Sequence, residues 1–215
     1  MKEMKNIAIF GAGGFGREVA CLLKKINEVE PTWNFLGFYD DGLEKGTAID
    51  YGTILGGRAE LNAVNEPLCL VIALGDPKTL KSVVESVTNE NITFPNIVSP
   101  DLKMLDADSV KMGKGNVVAM GNFISCNVTL GNFNMLVGFS TIGHDSTFGN
   151  YNCLMPASRF SGKVTIGNEN LFGTSAVVMQ GLTIGEQNTI APGSIVMANT
   201  KDGHTYLGNP AKKVF

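Results

Sequence analysis

Residues 112–196, written in sixes, read MGKGNV VAMGNF ISCNVT LGNFNM LVGFST IGHDST FGNYNC LMPASR FSGKVT IGNENL FGTSAV VMQGLT IGEQNT IAPGSI V. The first residue of every six is apolar, from Met112, Val118, Ile124 and Leu130 through to Ile184, Ile190 and Val196, fifteen times in fifteen. With 44% apolar residues in the chain, chance produces such a run roughly once in a few hundred thousand trials, by counting matches to one template. Neither the 3.6-residue period of a helix nor the 2-residue period of a strand explains a period of six. One short strand plus one turn does. The residue after each apolar step is small at Gly113, Ala119, Ser125, Gly131, Gly143, Gly149, Ser161, Gly167, Gly173, Gly185 and Ala191, which predicts tight corners with φ > 0 there. Asn recurs at 116, 122, 134, 152, 170 and 188, read here as a second residue tolerant of the left-handed region.

Stacked hexads of this kind predict a parallel β-helix, whose coils bury together a core that none can bury alone. The apolar-Gly pair returns at 112, 130, 148, 166 and 184, every eighteen residues. Eighteen is three hexads, hence a triangular prism of about five coils, roughly 24 Å tall at ~4.8 Å per coil.

The remaining sequence sets the context. In 215 residues, 17% are charged, the net charge is −3 and 26 are Gly, gathered in the hexads and in residues 11–16. That balance gives no electrostatic support for a nucleic-acid or anionic-membrane partner. Residues 1–10 are too short for a signal-peptide core or a membrane span, so a cytoplasmic protein is expected. Cys21, Cys69, Cys126 and Cys153 show no paired spacing and read as reduced structural thiols.

Residues 6–10 form an apolar run entering Gly11-Ala-Gly-Gly-Phe-Gly16, after which Val19, Leu22, Leu23 and Ile26 share one helical face. Strand, glycine turn and helix in that order form a phosphate-binding fingerprint, with bare amides at a helix N-terminus. Further strands are predicted over 34–39, ending in Asp40-Asp41-Gly42, and over 68–74, ending in Gly75-Asp76-Pro77 before a helix at 78–87, with a fourth candidate over 92–98. In an open parallel sheet, ligands bind beyond the strand C-termini. Gly13, Gly14, Asp40, Asp41, Gly75 and Asp76 are therefore expected around one pocket, the bland alternative being turn and cap residues only. About 98 residues hold half of a dinucleotide fold, so a nucleotide or sugar nucleotide is expected rather than a redox cofactor. The division read is 1–98, a small Rossmann-like α/β domain, and 99–215, the prism, with 99–109 as a joint and a tail from Asn199.

Chemistry has few places to reside. The chain has two histidines. His144, two residues after Ile142, points away from the prism interior and is followed by Asp145, a carboxylate that can orient or charge-stabilise an imidazole acting as a general base. The bland reading is a solvated surface histidine. His204, in the tail, reads as structural or exposed. Gly162 lies one coil after His144, and Thr174 with Pro192 forms a second column. A zinc hydrase site needs three histidines, and the repeat offers His144 alone, so no metal is expected.

FGAGGFGREVA, YDDG, ALGD, FPNIVSP, TIGHDSTFGNY, SGKVTIGNENLFGTSAVV and GNPAK occur in this order across the chain. Together they resemble the sialic acid O-acetyltransferase and nucleotide-aminosugar N-acetyltransferase family of hexapeptide-repeat enzymes. The resemblance implies a left-handed β-helix, a homotrimer, and acetyl transfer from acetyl-CoA to a sugar, foremost the amine of a nucleotide-linked amino sugar. Sialic acid or other sugar O-acetylation is the alternative, and a non-catalytic sugar-nucleotide-binding scaffold is the reading from another class. It implies His144 as base with Asp145 as its partner, and the Gly162 backbone facing the thioester oxygen. Cys153, Thr174 and Pro192 fall at coenzyme A contacts, and Gly13, Gly14, Phe15, Asp40, Asp41 and Gly75 at nucleotide-sugar contacts. Some members carry His where this chain has Phe15, and many carry His where it has Ser99.

Overall fold

The computed structural model describes residues 4–214. Residues 1–3 and Phe215, the outer ends of the two expected domains and part of the N-terminal segment read for a signal, lie outside the described residues.

Strand β1 (Lys5–Phe10) forms from an apolar run whose Ile7, Ala8 and Ile9 are fully buried. The chain continues through α1 (Gly14–Val29), β2 (Trp33–Tyr39), the hairpin β3 (Ala48–Ile49) and β4 (Gly52–Gly56), α2 (Arg58–Asn62), β5 (Leu68–Ile72), α3 (Pro77–Ser86) and β6 (Ile92–Thr93). The sheet order is β3-β4-β2-β1-β5-β6, parallel except for the β3/β4 pair. Helix α1 buries Val19, Ala20, Leu22 and Leu23 against it, the face that helical spacing predicts.

From Ile97–Val98 to Ile195–Val196 the chain is a left-handed parallel β-helix of two-residue strands stacked in three faces. The second residue of each strand points inward. Leu130 pairs with Phe148, Phe148 with Ile166 and Ile166 with Ile184, and all four are buried. Phe148, Phe160 and Phe172 meet edge to face inside, with ring centres 5.0 and 4.8 Å apart, the geometry aromatic quadrupoles favour.

Three sequence expectations are corrected. First, residues 99–109 are not a joint. Ile97–Val98, Lys103–Met104 and Lys111–Met112 pair with Val117–Val118, Phe123–Ile124 and Thr129–Leu130, so they form the first coil. The prism therefore starts two residues before the expected boundary at 99, and the expected strand over 92–98 splits between the two domains. The 3-10 turn Ala107–Ser109 makes the third side two residues longer, which hides this coil from a count in sixes. Second, the left-handed residues are not those after the apolar step but those two further on, Asn127, Phe133, Phe139, Asp145, Tyr151 and their successors, with φ of 54–62°. The small residues serve coil stacking instead: a Cβ on Gly131 would stand 2.5 Å from the Gly149 carbonyl oxygen. Third, the repeating asparagines are buried, not turn residues, and those at 116, 134, 152, 170 and 188 are bonded to one another. Asn134 Oδ1 accepts from Asn152 N at 3.0 Å and Asn152 Nδ2 at 3.1 Å, while Asn134 Nδ2 donates to Gly149 O at 3.0 Å.

The outward residue of each strand sorts by face. The first face shows Val117, Met135, Cys153 and Leu171, the second Phe123, Thr141, Arg159, Val177 and Ile195, and the third Thr129, Thr147, Thr165 and Thr183. The α/β domain covers the first face. Lys81 Nζ bonds Glu169 Oε1 at 2.7 Å, and Phe94 meets the Phe133 ring, itself stacked on Tyr151 at 5.5 Å. The tail adds Thr205–Gly208 to the same face beside Thr189–Ile190 and returns as Ala211–Lys213. Among the described residues no helix is long and apolar enough to cross a membrane.

Candidate active site

His144 stands at the corner between the second and third faces, between Thr141–Ile142 and Thr147–Phe148. The left-handed turn at Asp145, φ 58°, brings its carboxylate back to the preceding ring: His144 Nδ1 and Asp145 Oδ2 are 2.7 Å apart. Asp145 Oδ1 accepts from Asn127 Nδ2 at 3.0 Å. The bonds from His144 and Asn127 hold the Asp145 carboxyl below the usual value, so it stays an anion beside the ring. With Nδ1 occupied, Nε2 is left to exchange a proton with a ligand.

Gly162, one coil further on, lies against that nitrogen. A Cβ there would stand 2.4 Å from His144 Nε2, so the imidazole keeps its place only over glycine. The Gly162 N–H meets no acceptor in the described chain, whereas the next amide, Lys163 N, donates to His144 O at 2.7 Å. An imidazole nitrogen and an unpaired backbone N–H thus sit side by side, two groups of the kind that attack on a thioester uses.

On the α/β domain, the C-terminal ends of β2, β1 and β5 bring together the glycine turn, Asp40 with Asp41, and Gly75. Gly11 and Gly16 are structural: a Cβ on Gly16 would stand 1.8 Å from Gly11 O. Gly13 and Gly14 are not, since nothing lies within 4 Å of a Cβ at either, and the start of α1 has no side-chain cap. Their backbone is open for a ligand anion. Asp40 braces the turn, with Oδ2 accepting from Ala12 N and Oδ1 from Gly42 N, each at 2.9 Å. Asp41 pairs with Arg58 at 2.7 Å, and with Lys45 and Gly57 they wall a cavity of about 300 Å³. Gly75 lies close to Met155 Cε, 3.2 Å from a Cβ built on it. Phe15 is half-buried against the domain core. Asp76 follows the bland reading, capping α3 by accepting from Thr79 N and Oγ1.

A larger cavity, about 730 Å³, opens between α1 and the corner of the first and second faces; Gly14, Arg17 and Tyr51 face Met120, Phe139 and Pro156 across it. Thr174 and Pro192 continue the Pro156 column and are exposed. Cys153 does not join them. Its side chain is fully buried between the domains, with Sγ 3.8 Å from Leu74 O, and burial pushes its thiol pKa up, so the expected coenzyme A contact by this side chain is withdrawn. His204 is half-buried beside Lys213 Nζ, at 3.1 Å. Sequence reasoning missed Met120 and Phe139. Their signal was large apolar residues at corner positions, 43% and 61% exposed.

Residues 6–87 match the PglD N-terminal domain family. The acetyltransferase domain of PglB from Neisseria gonorrhoeae, solved with acetyl coenzyme A, is 25% identical, aligns over 99% of this chain and 100% of that one, and gives a TM-score of 0.86. WeeI from Acinetobacter baumannii is 25% identical over 99% of this chain and 100% of its own, at 0.85. PerB from Caulobacter crescentus, solved with CoA and GDP-perosamine, has the same fold at a TM-score of 0.89 and 23% identity over 99% of both chains. No curated protein sequence matches the chain.

Proposed function

We propose that this chain, a PglD-type α/β domain joined to a left-handed β-helix, transfers the acetyl group of acetyl-CoA to the amine of a nucleotide-linked amino sugar. The observation that carries the reading is His144 Nε2 against Gly162, with Asp145 holding the far side of the ring at 2.7 Å. The PglB relative, at 25% identity, binds acetyl coenzyme A, which supports the same donor here.

The sugar amine attacks the thioester carbon as Nε2 of His144 removes its proton. The Asp145 carboxylate stabilises the imidazolium that results. The carbonyl oxygen, now an anion, accepts from the Gly162 N–H; one such donor is worth about 10²–10³ in rate. Collapse breaks the C–S bond, and the imidazolium returns the proton to the departing thiolate. Gly13 and Gly14 amides meet the diphosphate, Asp41 with Arg58 and Lys45 lie on the nucleotide side, and Thr174 and Pro192 flank the pantetheine.

One chain is not enough for this chemistry. His144 occupies the corner of the second and third faces, while the 730 Å³ cavity and the Thr174 column occupy the corner of the first and second. Between those corners the second face presents Phe123, exposed, with Val177 and Ile195, half-exposed, beside Thr141 and Arg159. Exposed large apolar patches mark interaction surfaces. A second copy docked there brings its own His144 to the neighbour's Thr174 column, and three copies close the ring, so the working form is a homotrimer. The four cysteines are free, which suits a cytoplasmic enzyme.

The test is His144→Ala assayed by thiol release against nucleotide-linked amino sugars, free amino sugars and sialic acid. Loss of about a hundredfold or more is expected, the usual contribution of a general base, with an unchanged circular dichroism spectrum. Full activity in the variant contradicts the reading, and thiol release with sialic acid alone assigns O-acetylation instead.

A further inference from the structure

We propose that Asn127 is a positioning residue for the transfer: one coil below Asp145, it holds the carboxylate that holds His144. The inference rests on the acetyltransferase reading of His144. Asp145 is 43% exposed at its side chain, and an exposed carboxylate on a left-handed turn is free to rotate unless both oxygens are engaged. Here both are, Oδ2 by His144 Nδ1 at 2.7 Å and Oδ1 by Asn127 Nδ2 at 3.0 Å.

Asn127 is fixed in turn. At the higher coils of this corner the left-handed residue donates its N–H to a carbonyl one coil below: Asp145 N to Cys126 O at 3.0 Å, and Lys163 N to His144 O at 2.7 Å. Asn127 lacks that carbonyl partner, because the first coil departs from the hexad below it. Its N–H goes instead to Ser109 Oγ at 2.8 Å, and that hydroxyl donates to Asp106 O at 2.9 Å. Ser109 closes the 3-10 turn Ala107–Ser109, the same irregularity that hides the first coil in the sequence. Ser109, Asn127 and Asp145 are spaced by eighteen, a column one residue beside that of His144. The register break therefore supplies the foot of a relay that ends at the imidazole. Besides Asp145, Lys163 and Cys126 are the titratable groups at the adjoining turns of this corner.

Asn127→Gly removes the carboxamide and suits the 54° φ of the site, so the corner keeps its path. Two readouts separate positioning from structure. The first needs no activity: with two histidines in the chain and the second assigned by His204→Gln, nitrogen NMR at alkaline pH reads the His144 tautomer. One tautomer, proton on Nδ1, is expected in the natural chain and a mixture in Asn127→Gly. The second is kinetic: kcat falls about 10- to 100-fold, as for a misplaced reacting group, with KM for both substrates little changed. No further loss is expected when Asn127→Gly is added to Asp145→Asn, since both act through one contact. A single unchanged tautomer in Asn127→Gly overturns the proposal, as does full additivity with Asp145→Asn. If the natural chain transfers no acetyl group, the catalytic reading falls, while the tautomer still decides whether Asn127 holds Asp145.

Discussion

Gly162 is where backbone and chemistry meet most closely. The spacing of eighteen from His144 placed it in the right column, but only coordinates show that the ring rests on the missing side chain. Gly162→Ala brings a methyl to 2.4 Å from Nε2. The ring is half-exposed and can swing away, so the fold survives and the base is misplaced. We expect kcat to drop about 10- to 100-fold with nearly unchanged thermal unfolding; normal turnover contradicts the geometry. Asp145 allows a pH test. Its pKa is lowered by the bonds from His144 and Asn127, so it contributes stability above its unfolded value, and this is lost as pH falls through the folded value. The Tm gap between the natural chain and Asp145→Asn is expected to persist while the carboxylate is ionised and to close as it protonates in acid, below the usual carboxylate range. A gap that closes near neutrality contradicts the assignment. His144 itself was legible because a histidine beside a carboxylate, two residues off the apolar step, cannot face the core.

The strands and corners of the prism were legible from period six, and the β1 to α1 unit from its glycine turn. The misreadings have one physical source: side-chain identity reports a requirement without saying which neighbour imposes it. Small residues at corners can mean positive φ or a backbone overhead, and stacking decides for the second. Asparagine can mean a left-handed turn or a buried ladder, and burial decides for the ladder. The ladder can be tested alone. Asn134→Leu leaves Asn152 N and Gly149 O without their partners, at about 1–3 kcal/mol for each group left unpaired. Denaturant unfolding at matched protein concentration is expected to show that loss, and an equally stable variant contradicts it.

At the scale of the molecule, the α/β domain, the second face and the histidine corner follow one another around the prism, and the proposed site needs groups from two separate corners. That order was not visible in the sequence, because the period of six treats all three faces alike; sorting the outward residues by eighteens separates them. Co-expression of His144→Ala with Thr174→Trp tests the central claim most directly. On the proposed reading each variant alone blocks every site, His144→Ala by removing the base and Thr174→Trp by filling the pantetheine column. In the proposed trimer, mixing the two variants leaves some sites with an intact His144 on one copy and an intact Thr174 column on its neighbour. Mass spectrometry of the sugar product is expected to show acetylation by the mixture and none by either variant alone; a mixture as inactive as its parts contradicts acetyl transfer at a site shared between copies.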